Sequence, residues 1–168
     1  MFALPRLSLS SAALAILLAP NHAFGQELKE FVSAEGRYQI HLPGTPTAKK
    51  QVVNGIEMFA QIVEPGEGLT YAISYFDLPP KLALSLETAA QAYAKARKAT
   101  IVTDKKLTLE DEYPGRDAVM RLDAKRCSRL RLYIIGARYY QIIVEGTQEQ
   151  VTSATADRVL DSFQRVKK

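Results

Sequence analysis

The chain has 168 residues, 47% of them apolar and 24% charged, with a formal net charge of +4. Its basic residues are interspersed with acids, which excludes the clustered footprint of a nucleic-acid binder. A single cysteine, Cys127, excludes an intramolecular disulfide.

Residues 1–25 read as a secretory signal peptide. Arg6 is the only charge before Glu27, Leu7 to Ala19 is apolar or small, and Ala23-Phe24-Gly25 offers small residues at both specificity positions of a cleavage site. The apolar run is about 13 residues, short of the about 20 that span a bilayer. Cleavage after Gly25 is the expectation, and a retained anchor is the alternative. No cysteine near that point offers an N-terminal lipid attachment. The mature chain is then residues 26–168, one α+β domain of net charge +3, periplasmic or secreted, with no membrane span after cleavage. It keeps one histidine, His41, because His22 leaves with the signal. It has no GxSxG, P-loop, GxGxxG or HExxH motif. No catalytic residue, metal ligand or cofactor is therefore expected.

Lys29 to Val32 is a short first strand, and Glu35-Gly36 is a turn. Arg37 to Leu42 alternates, which turns Tyr38, Ile40 and Leu42 toward a core and His41 away from it. Pro43-Gly44-Thr45-Pro46 ends that strand. Ala48 to Val53 and Ile56 to Val63 flank Asn54-Gly55, a type I′ hairpin signal. After Pro65-Gly66-Glu67-Gly68, Leu69 to Asp77 is a strand that stops before Pro79-Pro80. Ser85 caps a helix whose apolar positions are Leu86, Ala89, Ala90, Tyr93 and Ala96. Glu87 sits in its first turn, and Lys95, Arg97 and Lys98 sit near its end. Lys106 to Tyr113 is the next strand, and Tyr113-Pro114-Gly115-Arg116 has the composition of a type II turn. Asp117 to Leu122 and Ser128 to Ile135 form a hairpin around Asp123 to Arg126. Tyr139 to Glu145 is the last strand. Thr147-Gln148-Glu149-Gln150 is a capping box that opens a C-terminal helix through Val151, Val159, Leu160 and Phe163. The fold class is α+β: an antiparallel sheet of two meanders with two main helices in β-α-β-α order. Tyr38, Ile40, Leu42, Leu130, Leu132, Ile142, Val144, Tyr93, Leu160 and Phe163 are expected to share one core.

Five phrases carry a resemblance: Glu35-Gly36-Arg37-Tyr38 through Leu42-Pro43-Gly44, Tyr71 to Leu78, Tyr113 to Arg116, Gly136 to Thr147, and Leu160-Asp161-Ser162-Phe163. With the element order, they resemble the fold of PsbP, the extrinsic subunit of photosystem II, and of DcrB, a bacterial envelope protein, and small exported bacterial proteins of that type. The resemblance implies a docking or assembly role rather than a shared active site.

Arg129, Arg131 and Tyr133 alternate with Leu130, Leu132 and Ile134, and Arg121 and Asp123 lie on the facing strand. They make the candidate patch for a carboxylate, a phosphate or an acidic partner. The alternative is cross-strand ion pairing on a solvated or helix-covered face. Glu110-Asp111-Glu112 points to alternating faces, so it does not converge on a cation. His41 reads as a bystander, Cys127 as a buried thiol, and Tyr71, Tyr75, Tyr139 and Tyr140 as core and rim. The functional expectation is a non-enzymatic interaction module with an envelope protein partner. A small-ligand carrier with a cleft between sheet and helix ranks second, and an enzyme using carboxylate or Arg chemistry ranks third.

Overall fold

The computed structural model describes residues 27–53, 55–80 and 82–166. The expected signal segment, residues 1–25, and Asn54 lie outside the described residues. The small sheet has the order β1 (Lys29–Ser33), β2 (Tyr38–Leu42), β10 (Gln164–Arg165). The large sheet has the order β3-β4-β5-β9-β8-β7-β6, built from β3 (Thr47–Val53), β4 (Ile56–Gly66), β5 (Leu69–Asp77), β6 (Thr100–Leu109), β7 (Tyr113–Arg121), β8 (Cys127–Ile135) and β9 (Arg138–Gly146). Each meander pairs with its own hairpins, and β5 beside β9 joins the two halves antiparallel. Helix α1 (Leu86–Arg97) connects the meanders, and α2 (Gln148–Val151) and α3 (Ala154–Asp161) follow the second. This is the expected α+β class with two antiparallel meanders.

Alternation decides β2. Tyr38, Ile40 and Leu42 are fully buried, and His41 is exposed opposite Glu30 of β1. The β3–β4 hairpin closes with Val53 opposite Ile56, and Gly55 takes the positive φ (79°) that its turn requires. Ser85 caps α1 by accepting from the Thr88 amide at 3.0 Å, and Lys98 ends it in a left-handed conformation.

Three boundaries differ from the sequence reading. Helix α1 buries Ala94, and Ala96 is exposed, because 90 to 94 completes a turn of the buried stripe. The turn between β6 and β7 is Glu110 to Glu112, not Tyr113 to Arg116. Glu110 and Asp111 both take positive φ (52° and 55°), and Leu109 pairs with Tyr113. Gly115 lies inside β7 because the Tyr133 ring crosses it; a Cβ there would stand 2.5 Å from Tyr133 Cε1. The C-terminal helix is two helices. Thr147 and Gln150 make the expected reciprocal cap of α2, but the chain breaks at Thr152 and Ser153 starts α3.

The large sheet is covered on both faces, so the core is two clusters. Toward α1 it presents Ala118, Met120, Leu130, Leu132 and Tyr139, packed with Ala89, Ala90, Ala94 and the half-buried Tyr93. Toward the small sheet, α2 and α3, it presents Tyr71, Ile73, Tyr75, Tyr133, Tyr140, Ile142 and Val144, packed with Tyr38, Ile40, Leu42, Leu160 and Phe163. The expected single core therefore divides. Leu130, Leu132 and Tyr93 lie on the opposite side of the sheet from the rest, as the two-residue period of β8 requires.

Candidate functional site

The β8 arginines lie under α3. Arg129 pairs with Asp117 of β7 at 2.9 Å and with Asp157 of α3 at 2.6 Å. Arg131 pairs with the same Asp117 oxygen at 2.7 Å and with Asp161 of α3 at 2.7 Å. The register places Asp117 directly opposite Arg131, and Asp157 and Asp161 are one helical turn apart, so each arginine meets one α3 acid. Burial alone raises the Asp117 carboxyl pKa, but hydrogen bonds from Arg129 and Arg131 and their charges outweigh it and hold it below the usual range. Tyr133 is 2% exposed, with its ring 5.4 Å from Phe163 and nearly parallel to it. Burial raises its hydroxyl pKa.

The expected open Arg-Tyr face is therefore a closed one. Both guanidinium groups are satisfied by acids, and the tyrosine belongs to the core. Of the four candidates only Arg121 is exposed, at the end of β7 opposite Cys127. Asp123 does not join the network: it caps its own turn through the amides of Lys125 and Arg126 and pairs with Arg126 at 2.8 Å. The Lys125 and Arg126 amides and the Arg126 guanidinium lower its pKa to about 2.

A second arrangement lies where β5 ends and β9 begins. An open groove of about 730 Å³ is lined by Arg37, Asp77, Tyr113, Arg138, Tyr140 and Arg165, among others. Arg138 grips Asp77 with two hydrogen bonds (2.6 and 2.9 Å), donates to the Glu35 carbonyl at 2.6 Å, and lies 4.9 Å over the Tyr75 ring. The hydrogen bond from Arg138 holds the Asp77 carboxyl below its ordinary pKa. Tyr140 donates to the Gly36 carbonyl at 2.8 Å, which fixes the turn carrying Arg37. Arg165 of β10 lies 4.8 Å over the Tyr113 ring and reaches Glu110 at 3.5 Å. Arg37 is exposed, takes positive φ (56°), and pairs with no acid among the described residues.

The other sequence candidates separate. His41 is exposed, and its amide donates to Ser162 Oγ at 2.8 Å. Cys127 is buried with Sγ 3.9 Å from Gln148 Oε1. Tyr71, Tyr75, Tyr139 and Tyr140 are all buried. Glu110 turns to Arg165, and among the described residues no group of three or more His, Cys, Asp or Glu side chains is placed to hold a metal. No helix among them is long and apolar enough to cross a membrane. The sequence reading missed Arg37, Asp77, Arg138 and Arg165. Asp77 and Arg138 face each other only because β5 and β9 pair across the two meanders, and nothing local announces that. The sequence reading also missed Asp157 and Asp161, whose spacing of four is the signal that puts them on one face of α3.

No family model and no curated protein sequence matches the chain. Among solved structures, the solution structure of cyanobacterial PsbP from Synechocystis sp. PCC 6803 superposes with a TM-score of 0.61 at 9% identity, covering 83% of this chain and 93% of that one. A protein of unknown function from Pseudomonas aeruginosa has a TM-score of 0.42 at 10% identity, covering 74% of this chain and 85% of that one. A crystal structure from Bacteroides thetaiotaomicron has a TM-score of 0.41 at 13% identity, covering 83% of this chain and 49% of that one. At these identities the likeness is one of fold, and the chain has a PsbP-like fold.

Proposed function

We propose that the mature chain is an exported, non-enzymatic interaction module of the cell envelope. The observation that carries this reading is the open groove of Arg37, Arg138, Tyr140 and Arg165. Its ion pairs and main-chain hydrogen bonds fix its walls, and Arg37 is left at its rim without an acid among the described residues. Such a rigid, polar, solvent-open surface suits contact with another polypeptide, where arginine and tyrosine are favoured. The signal-type N-terminus and the PsbP-like fold support the same reading. Arg129, Arg131 and Tyr133 are structural in it, and Arg121 is a peripheral surface residue.

The test is affinity capture from envelope extract with tagged residues 26–168 and with Arg37→Asn, a change that keeps a residue tolerant of positive φ. A partner held by the wild type and lost by a folded variant supports the reading. Equal capture by both overturns it for this groove. A small-ligand carrier with a cleft between sheet and helix is the second reading, and a deep closed apolar pocket would favour it. Native mass spectrometry that finds a small molecule bound to the natively isolated protein would establish it.

A further inference from the structure

We infer that the free edge of β6 takes an extended, acidic segment of a partner protein as an added strand of the large sheet. β6 ends that sheet; nine of its ten residues pair with β7 on one side, Val102 being skipped at a bulge, and none pairs with a strand on the other among the described residues. An open edge is a row of unpaired amide and carbonyl groups, and strand addition satisfies them. Beside β6 stands a wall of helix. Helices α2 and α3 pack mainly on β8, β9 and β2 and leave space between themselves and β6. Two grooves therefore run along its inner face. One, about 390 Å³, lies between Val102, Lys105 and Leu107 of β6 and Gln148 and Thr152 of the α2 region. The other, about 380 Å³, lies between Leu107 and Leu109 and the α3 residues Leu160 and Asp161. Leu107 lines both. Alternate side chains of an added strand lean over this face, and the grooves receive them.

Charge selects the occupant. Asp104 is neutralised by Arg116, which binds it through two hydrogen bonds of 2.5 and 2.7 Å. Lys105 and Lys106 are exposed and carry no ion pair among the described residues. They point to opposite faces of the strand, so they flank the edge above and below. A second copy of this chain brings the same lysines to the same edge, which is how edge lysines block self-association. An acidic strand meets them favourably, so one device repels the wrong partner and attracts the right one. The opposite edge, β3, also carries two lysines, but Lys50 is committed to Glu57 at 2.8 Å and lies 5.0 Å over the Phe59 ring.

The probes are two short synthetic peptides, one alternating Glu with Val and one alternating Lys with Val, titrated into residues 26–168 at low salt. The Glu-Val peptide is expected to bind at least about tenfold more tightly, and the double variant K105E/K106E to reverse that preference. Hydrogen exchange should slow at β6 and not at β3 when the Glu-Val peptide is bound. K105Q/K106Q, which keeps polar side chains without charge, should bind the two peptides alike. The proposal fails if the Glu-Val peptide does not bind, if a folded charge-reversed variant keeps the wild-type preference, or if protection appears at β3 instead. The sheet-end groove plays no part in this test, so either reading can fail without the other.

Discussion

The face of the large sheet toward α1 and the face toward α2 and α3 are built on different plans from the same strands. Toward α1, β7 and β8 offer Ala118, Met120, Leu130 and Leu132, and the helix answers with Ala89, Ala90 and Ala94. Small on large lets helix and sheet approach closely, and the ion pairs on this face, Arg116 with Asp104 and Arg97 with Glu145, flank the cluster. Toward the other side, the intervening residues of the same two strands include Asp117, Arg129, Arg131 and Tyr133. There the cover is thicker, with Phe163 between the Tyr38 and Tyr133 rings at 5.5 and 5.4 Å. A charged group in such a place needs partners from every side, because burying it without them is costly. Two strands and a helix supply them here. The lesson is that the apolar face admits a helix by size, and the charged face admits one by position.

Removing Asp117 should break this contrast most. Asp117→Ala leaves Arg129 and Arg131 with only the rim acids Asp157 and Asp161, and a loss of about 3–5 kcal/mol is expected. Urea unfolding measures it, and a loss below about 1 kcal/mol would mean the network is worth no more than a surface pair. Acid provides a second check. The folded-state Asp117 pKa is depressed, so its contribution is present above the unfolded value of about 3.9 and lost as the pH falls through the folded value. Wild-type stability should fall below about pH 4, and Asp117→Asn should flatten that acid limb.

Cavities on the two faces come next. Ile40 and Leu130 are both fully buried, in different clusters. Each, cut to Ala, should cost about 2–5 kcal/mol in chemical denaturation. Because the sheet separates them, the double variant should equal the sum within about 0.5 kcal/mol. A larger interaction energy would join the clusters into one core.

Much of this contrast was legible in the sequence, and the missing part has a definite cause. Alternation located Tyr38, Ile40 and Leu42 and put the β8 arginines opposite the β8 leucines. It could not say that both faces of β8 are buried, because alternating charge and leucine looks the same on a solvated strand as on a double-covered one. The T-x-x-Q cap was readable, but the break at Thr152 was passed over, although Ser153 is a favoured N-cap residue, because the apolar spacing of Val151, Val159, Leu160 and Phe163 runs across it. Gly115 misled because Pro-Gly is a turn signature, whereas the contact that requires glycine is with Tyr133, a residue far along the chain. The sheet-end groove was invisible for the same reason: its arginines come from β9, β10 and the turn before β2, which only the tertiary fold assembles.

Overpacking probes the tight face alone. Ala90 is fully buried in the cluster with Met120 and Leu130. Ala90→Leu should lower stability by about 1–3 kcal/mol through displaced neighbours. A neutral result in the same denaturation assay would show that α1 floats on the sheet rather than being set by its alanines.

The smallest expected effect sharpens the comparison furthest. Thr147 Oγ1 accepts from the Gln150 amide at 3.2 Å, and Gln150 Oε1 accepts from the Thr147 amide at 2.7 Å. Thr147→Ala removes half of that reciprocal cap and should cost about 1 kcal/mol. The helix it starts has only four residues, so little else holds its first turn. The loss should therefore be local. Hydrogen exchange should quicken in α2 and in the neighbouring turn to α3, and stay unchanged in α1 on the far side of the sheet. If α1 exchanges faster by the same factor, the two covers open together, and the separation of the molecule into an apolar face and a charged face would describe packing but not cooperativity.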